Sequence, residues 1–119
     1  MAQGDRVRIG DGSSWDDSVT VSVYEPRWQP DGELYLDHFG AAQLQRLGGV
    51  KGGSLGTIAG PSVRVHRTQL FGEQNVPVMG GMDLVHVFPV QLDYYQRVGW
   101  IPAHHIRVVG GGHGMDMPG

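Results

Sequence analysis

The residues able to do chemistry in this chain are histidines and methionines. It has six histidines and five methionines, and no cysteine at all. Without cysteine there are no disulfides, thiolate metal sites or thiol nucleophiles, and the redox compartment stays open. Three histidine settings stand out. His113, Met115 and Met117 lie in a glycine-rich run, Gly110 to Gly119. Thioethers beside an imidazole suit a soft ion such as copper(I), and Met79, Met82 and His86 could add ligands. The alternative is a tail that docks on a neighbouring subunit or packs on nothing. His104 and His105 are adjacent, so one metal is hard for both to reach, and they read as surface residues on a turn. His86 interrupts an apolar strand, as a ligand residue whose charge changes near neutral pH or as a solvent-facing strand residue. Asp16 and Asp17 are neighbours that point to opposite faces of an extended chain, so they do not share a proton or an ion. No Ser-His-Asp arrangement, phosphate-binding glycine loop or zinc motif is present.

These residues must be held by strands. The densest β signal is Leu84 to Val109. There Val85, Val87 and Val90 alternate around His86, and Val98 to Ala103 leads into Ile106 to Val109. A short 3₁₀ turn is expected between the last two strands. Gly4 to Ile9 predicts a first strand, with Val7 and Ile9 pointing one way and Asp5, Arg6 and Arg8 at turn or solvent positions. Ser18 to Tyr24 predicts a two-sided strand, with Val19, Val21 and Val23 opposite Thr20, Ser22 and Tyr24. Pro26 ends it. Pro30-Asp31-Gly32 predicts a tight turn. Glu33 to His38 is expected to return as a strand with Leu34 and Leu36 inward. Gly40 to Leu47 is the only stretch with helical spacing, enough for one short turn. Leu55 to Val65 predicts a strand bent at Gly60-Pro61. Thr68 to Met82 reads as a long loop.

Length and charge bound the rest. A chain of 119 residues predicts one domain, here 1–109, with 110–119 as a Gly/Met-rich tail. Twenty glycines without a period indicate many turns between short strands. The fold class expected is all-β: a small SH3-like barrel of five to seven short strands, with a long inserted loop and extended tails. The net charge is −3 and the arginines are scattered, so no nucleic acid is expected as a partner. No apolar run is long enough for a membrane span and no signal peptide is read at the start. A cytoplasmic setting, or a particle assembled there, is expected.

Two family resemblances follow from particular residues. Gly4-Asp-Arg-Val-Arg8 followed by Trp15, the Pro30-Asp-Gly32 turn and Val85-His-Val-Phe-Pro-Val90 resemble, in that order, the plasmid- and integron-borne type II dihydrofolate reductases. Those are SH3-like barrels with a pore at the centre of a homotetramer. That resemblance implies NADPH as cofactor and a pore lined by His86, Val87 and Phe88, with Ile9 where the family has a lysine. Gly53-x-x-Gly-Thr-Ile58 and Leu84-Val-His-Val-Phe88 are similar to the C-terminal barrel of the nitrile hydratase β subunit, a structural partner in its complex. Both imply a barrel that associates with other chains.

The function expected first is therefore a non-enzymatic structural or interaction module. It would assemble with copies of itself, or within a multi-subunit complex or viral particle, and need no cofactor. Its interface anchors would be Trp15, Trp28, Tyr94, Tyr95, Met115 and Met117, since aromatics and methionine are favoured at interfaces. The alternatives are the NADPH-dependent reductase and soft-metal binding through His113, Met115 and Met117.

Overall fold

The structure is a computed structural model that describes residues 1–10, 18–70 and 83–110. Trp15, the Asp16-Asp17 pair, Phe71, Met79, Met82 and the His113/Met115/Met117 group lie outside the described residues, as does most of the expected long loop.

The chain is nearly all β, as its pattern predicts. Among the described residues nine strands form one sheet: β1 Arg6–Ile9, β2 Thr20–Pro26, β3 Ala41–Ala42, β4 Leu44–Lys51, β5 Leu55–Ile58, β6 Val63–His66, β7 Leu84–Leu92, β8 Val98–Pro102 and β9 Ile106–Gly110. Two short 3₁₀ turns, Arg67–Gln69 and Ala103–His105, complete the described elements. The strand order is β4-β2-β8-β7-β5-β1-β9, antiparallel throughout, and β3 pairs in parallel with β6 beside the first half of β7. No helix among the described residues is long and apolar enough to cross a membrane.

β7 is the spine. Its first half pairs with β6 and its last residues pair with β5, both on one side, while β8 runs along the other. β5 and β6 are the two halves of the predicted Leu55 to Val65 strand. Pro61 has no N–H to give the ladder, so the strand breaks there and resumes at Val63. That break, and the extended state of residues 41–51, raise the count from the five to seven strands expected.

Gly40 to Leu47 is not helical. Ala41-Ala42 pairs with Arg64-Val65, and Leu44 to Lys51 pairs along the whole of β2. Tertiary pairing overrides a local preference for helix, which amounts only to tenths of a kcal/mol per residue. The expected strand Glu33 to His38 is reduced to two bridges, Trp28 with Leu34 and Leu36 with Ala42. Leu36 is exposed rather than inward.

Apolar side chains pack on both faces of the sheet. One cluster holds Val7, Ile9, Val21, Val23, Val50, Ile58, Val90, Leu92, Ile101 and Ile106. The other holds Tyr24, Ala42, Val65, Leu70, Val85 and Val87. This is why Tyr24, on the face opposite Val21 and Val23, is fully buried. Two bulges adjust the edges. In β4, Val23 faces Gly48 and Tyr24 faces Arg46, so Leu47 is the extra residue. In β9, Val109 is the extra residue between the partners of Arg6 and Val7.

Arg6 does not point freely to solvent. Nη1 donates to Thr57 Oγ1 at 3.0 Å and to Asp93 Oδ1 at 2.9 Å, and Nη2 donates to Asp93 Oδ2 at 2.9 Å. The fork ties β1 across β5 to the turn after β7, and it raises the Arg6 pKa while lowering that of Asp93.

Candidate functional site

The described surface is marked by aromatic side chains that the fold leaves uncovered. The first group sits on the segment that follows β2. The turn there is the predicted one: Gly32 adopts φ +88°, its N–H donates to Gln29 O at 2.9 Å, and the Glu33 N–H donates to Asp31 Oδ1 at 3.0 Å. Gln29 N–H donates in turn to Glu33 O at 2.7 Å. The closed turn presents Trp28, 51 % exposed, edge-on to Trp100 of β8 with ring centroids 6.5 Å apart. Opposite them the chain break between β5 and β6 supplies Gly60 and Pro61, and β7 supplies Pro89. Between these walls runs an open groove of about 740 Å³. Its charged members neutralise one another: Arg97 Nη2 donates to both carboxylate oxygens of Glu25, at 2.7 and 3.0 Å. Such a groove offers aromatic and proline surface, with the Ser62 hydroxyl among its lining groups, and that surface suits the binding of a partner.

Beyond Trp28, Tyr35, Leu36 and Phe39 are also exposed on this segment. Asp37 fixes its base. Oδ1 accepts from the N–H groups of Phe39 and Ala41 at 2.8 and 3.0 Å, and Oδ2 accepts from His66 Nε2 at 2.7 Å. The Ala41 N–H, then His66, then the Phe39 N–H hold the carboxyl pKa down, to about 2 from the ordinary 3.8. The folded-state pKa is depressed, so this contribution is full above about pH 4 and is lost as pH falls toward 2. Urea unfolding between pH 5 and 2 should therefore show a shallower loss of stability for Asp37→Asn than for the wild type; parallel pH profiles would mean that Asp37 contributes nothing to the acid sensitivity.

The second group lies at the turn after β7. Tyr94 is fully exposed and has φ +69°, a left-handed conformation rare for a bulky side chain. Tyr95 is half exposed, its N–H donates to Leu92 O, and its carbonyl accepts from Gln91 Nε2 at 2.6 Å. Beside it is a hollow of about 270 Å³, lined by Gly48, Gly49 and Gly99, by the core residues Val23, Val50 and Leu92, and by Leu47, Tyr95 and Val98.

The other sequence candidates are dispersed. His86 is half-buried, shares a hydrogen bond between Nδ1 and Ser62 Oγ at 3.1 Å, and pairs across the strands with Arg64. Phe88 lies on the same face, its ring 6.4 Å from the imidazole. Val87 is fully buried in the opposite cluster, so a pore on this strand would draw on His86 and Phe88 without it. His105 is not a surface residue. It is buried, and its Nδ1–H donates to Gly10 O at 2.7 Å, stapling the end of β1 to the turn before β9. His104 stacks on it at 4.0 Å. Among the described residues no three His, Asp or Glu side chains are grouped to hold a metal.

The structure leaves Trp28, Tyr94 and Tyr95 exposed, in two groups, and sets beside them residues the sequence pattern did not mark: Trp100 and Arg97 in the groove, and Leu47, Gly48 and Gly49 at the hollow. One signal was available for the last three. Two consecutive glycines inside a strand mark a place where something else approaches closely. Comparison of the chain with protein-family models, with curated proteins and with solved structures finds no match to any of them.

Proposed function

We propose that this protein is a non-enzymatic interaction module, an SH3-like barrel that assembles with copies of itself or within a larger protein complex. The observation that carries the reading is the exposure of Trp28, Tyr94 and Tyr95 along one connected surface. The groove and the hollow share Arg97 and Val98, and Tyr95 links the hollow to Tyr94. A contiguous aromatic surface on a folded chain marks a docking site more often than a tolerated defect. Charge supports the reading: the groove's carboxylate and guanidinium already satisfy each other, so a partner need not strip either bare.

The barrel assignment has topological support. The path β9-β1-β5-β7-β8 is the run of neighbours expected for an SH3-like barrel, with a 3₁₀ turn ahead of the last strand. In this reading β2 and β4 form a long hairpin inserted between β1 and β5.

The test is the mass in solution by light scattering on a sizing column at two concentrations. A monomer weighs 12.9 kDa. The expected result is a larger mass that rises with concentration. A mass that stays monomeric at both removes self-assembly.

A further inference from the structure

Two residues on this surface are the reverse of what the backbone asks for. At Tyr94 the chain takes φ +69°, a conformation suited to glycine, yet carries a large side chain that is wholly exposed. At Gly48 the φ is not positive, and a Cβ built there would meet nothing within 4 Å, so any residue would fit. The fold asks for neither the tyrosine nor the glycine. A side chain held outward against its backbone preference, and a side chain omitted where there is room, are what a knob and a hole look like on one surface.

We propose that this face is a two-fold interface between copies of the chain, in which Tyr94 of each copy fills the glycine-lined hollow of the other. This rests on the self-assembly reading above and names its contact. Two observations select a second copy as the occupant. The hollow, at about 270 Å³, lies below the roughly 300–1,000 Å³ of small-molecule pockets and matches the scale of one aromatic side chain. Knob and hole are side by side, because Tyr95 lines both the hollow and the recess beneath Tyr94. A two-fold axis passing between them brings each knob to the other copy's hole, which is how an isologous dimer closes without propagating. Charge does not oppose the contact: Asp93 of the knob's turn is paired with Arg6, and Arg97 at the hole is paired with Glu25.

The knob is preorganised. Arg6 grips Asp93 with both Nη atoms on one side of Tyr94, and Gln91 binds the Tyr95 carbonyl on the other. The backbone that carries the ring therefore loses little freedom on docking. Leu47, the bulged residue of β4, stands at the hole's edge and would flank the entering ring.

The experiment uses three full-length proteins: wild type, Tyr94→Gly and Gly48→Arg. Glycine at 94 relaxes the backbone, and arginine at 48 meets open space, so both variants should keep the wild-type circular dichroism and thermal transition of the monomer. In sedimentation equilibrium each should weaken the dimer by about thirty-fold or more, the effect of losing a central anchor. An equimolar mixture of the two should regain part of the association. In a mixed dimer the Tyr94 of the Gly48→Arg chain meets the intact hole of the Tyr94→Gly chain. If the wild type assembles and both variants assemble equally well, this interface is wrong while the self-assembly reading stands. If the wild type is monomeric throughout, both fall together. Variants that dissociate but do not complement each other would overturn the two-fold, knob-in-hole arrangement.

Discussion

Replacing Tyr24 by alanine is expected to remove about 4 kcal/mol of folding stability, within the range for truncating a buried aromatic. Tyr24 is fully buried among Val65, Val85, Val87 and Ala42. Its position makes the loss worse than volume alone. Among the described residues Tyr24–Trp100 is the one backbone register pair of β2 with β8, and with the Glu25–Arg97 ion pair it joins the β2–β4 hairpin to the rest of the sheet. A cavity there sits on the seam, where the walls are held by β6 and β7 and cannot close in. For a domain whose whole stability is of the order of 5–15 kcal/mol, such a loss should lower the melting temperature by roughly 15 °C. Tyr24→Phe keeps the ring and should cost much less. Urea unfolding measures both. A cost below about 1 kcal/mol for the alanine variant would show that the second cluster collapses freely and that the hairpin is not secured at this seam.

The second large effect is expected from adding one methyl group at Gly56. A Cβ there would lie 2.7 Å from Val90 Cγ1, 2.8 Å from Gln91 O and 3.1 Å from Leu92 Cα. Two of those three atoms belong to the backbone of β7, which cannot swing aside as a side chain can. Gly56→Ala should therefore cost about 2–3 kcal/mol by forcing β5 and β7 apart. Gly99→Ala presses on Val23 Cγ1, a side-chain atom, so part of the strain can be relieved by rotation and the cost should be smaller. Gly48→Ala should change stability by no more than about 0.5 kcal/mol, as at an ordinary surface position. The order of the three midpoints in denaturant is the check. Gly48→Ala proving as harmful as Gly56→Ala would contradict the packing described for β4.

The parts of this fold that could be read from sequence are those where local pattern and final environment agree. Arg6 to Ile9, Leu84 to Leu92 and Val98 to Pro102 are rich in β-branched residues and bounded by glycine, proline or aspartate, and each became a strand. The Pro30-Asp31-Gly32 turn formed because its residues encode its dihedral angles. Residues 41–51 were illegible because their state is set by partners. Ala-Ala-Gln-Leu-Gln has no β preference of its own, and β2 and β6 impose one. The burial of Tyr24 was hidden for a related reason: alternation shows two faces but not that both will be covered. His105 was misjudged because its partner, the carbonyl of Gly10, is a backbone atom ninety-five positions away and carries no sequence signature.

The candidate surface divides in the same way. Trp28, Tyr94 and Tyr95 stood out because large aromatics in turn regions are conspicuous. Gly48 and Gly49 did not, since their contribution is the absence of side chains from a strand that the sequence does not announce. The left-handed backbone at Tyr94 was equally unreadable, because no residue type there would have signalled it.

The placement of β1 has a consequence for how the chain reaches this state. Its two neighbours in the sheet are β5 and β9, the second of which begins only at Ile106. β1 must therefore wait, with one edge unpaired, until β9 has been made. Val7 and Ile9, fully buried in the finished sheet, stay in water until then. A topology dominated by such distant pairings folds slowly. A nascent chain stalled before Ile106 would expose the edge of β1 and half a core, and would be a client for chaperones rather than a partly finished domain.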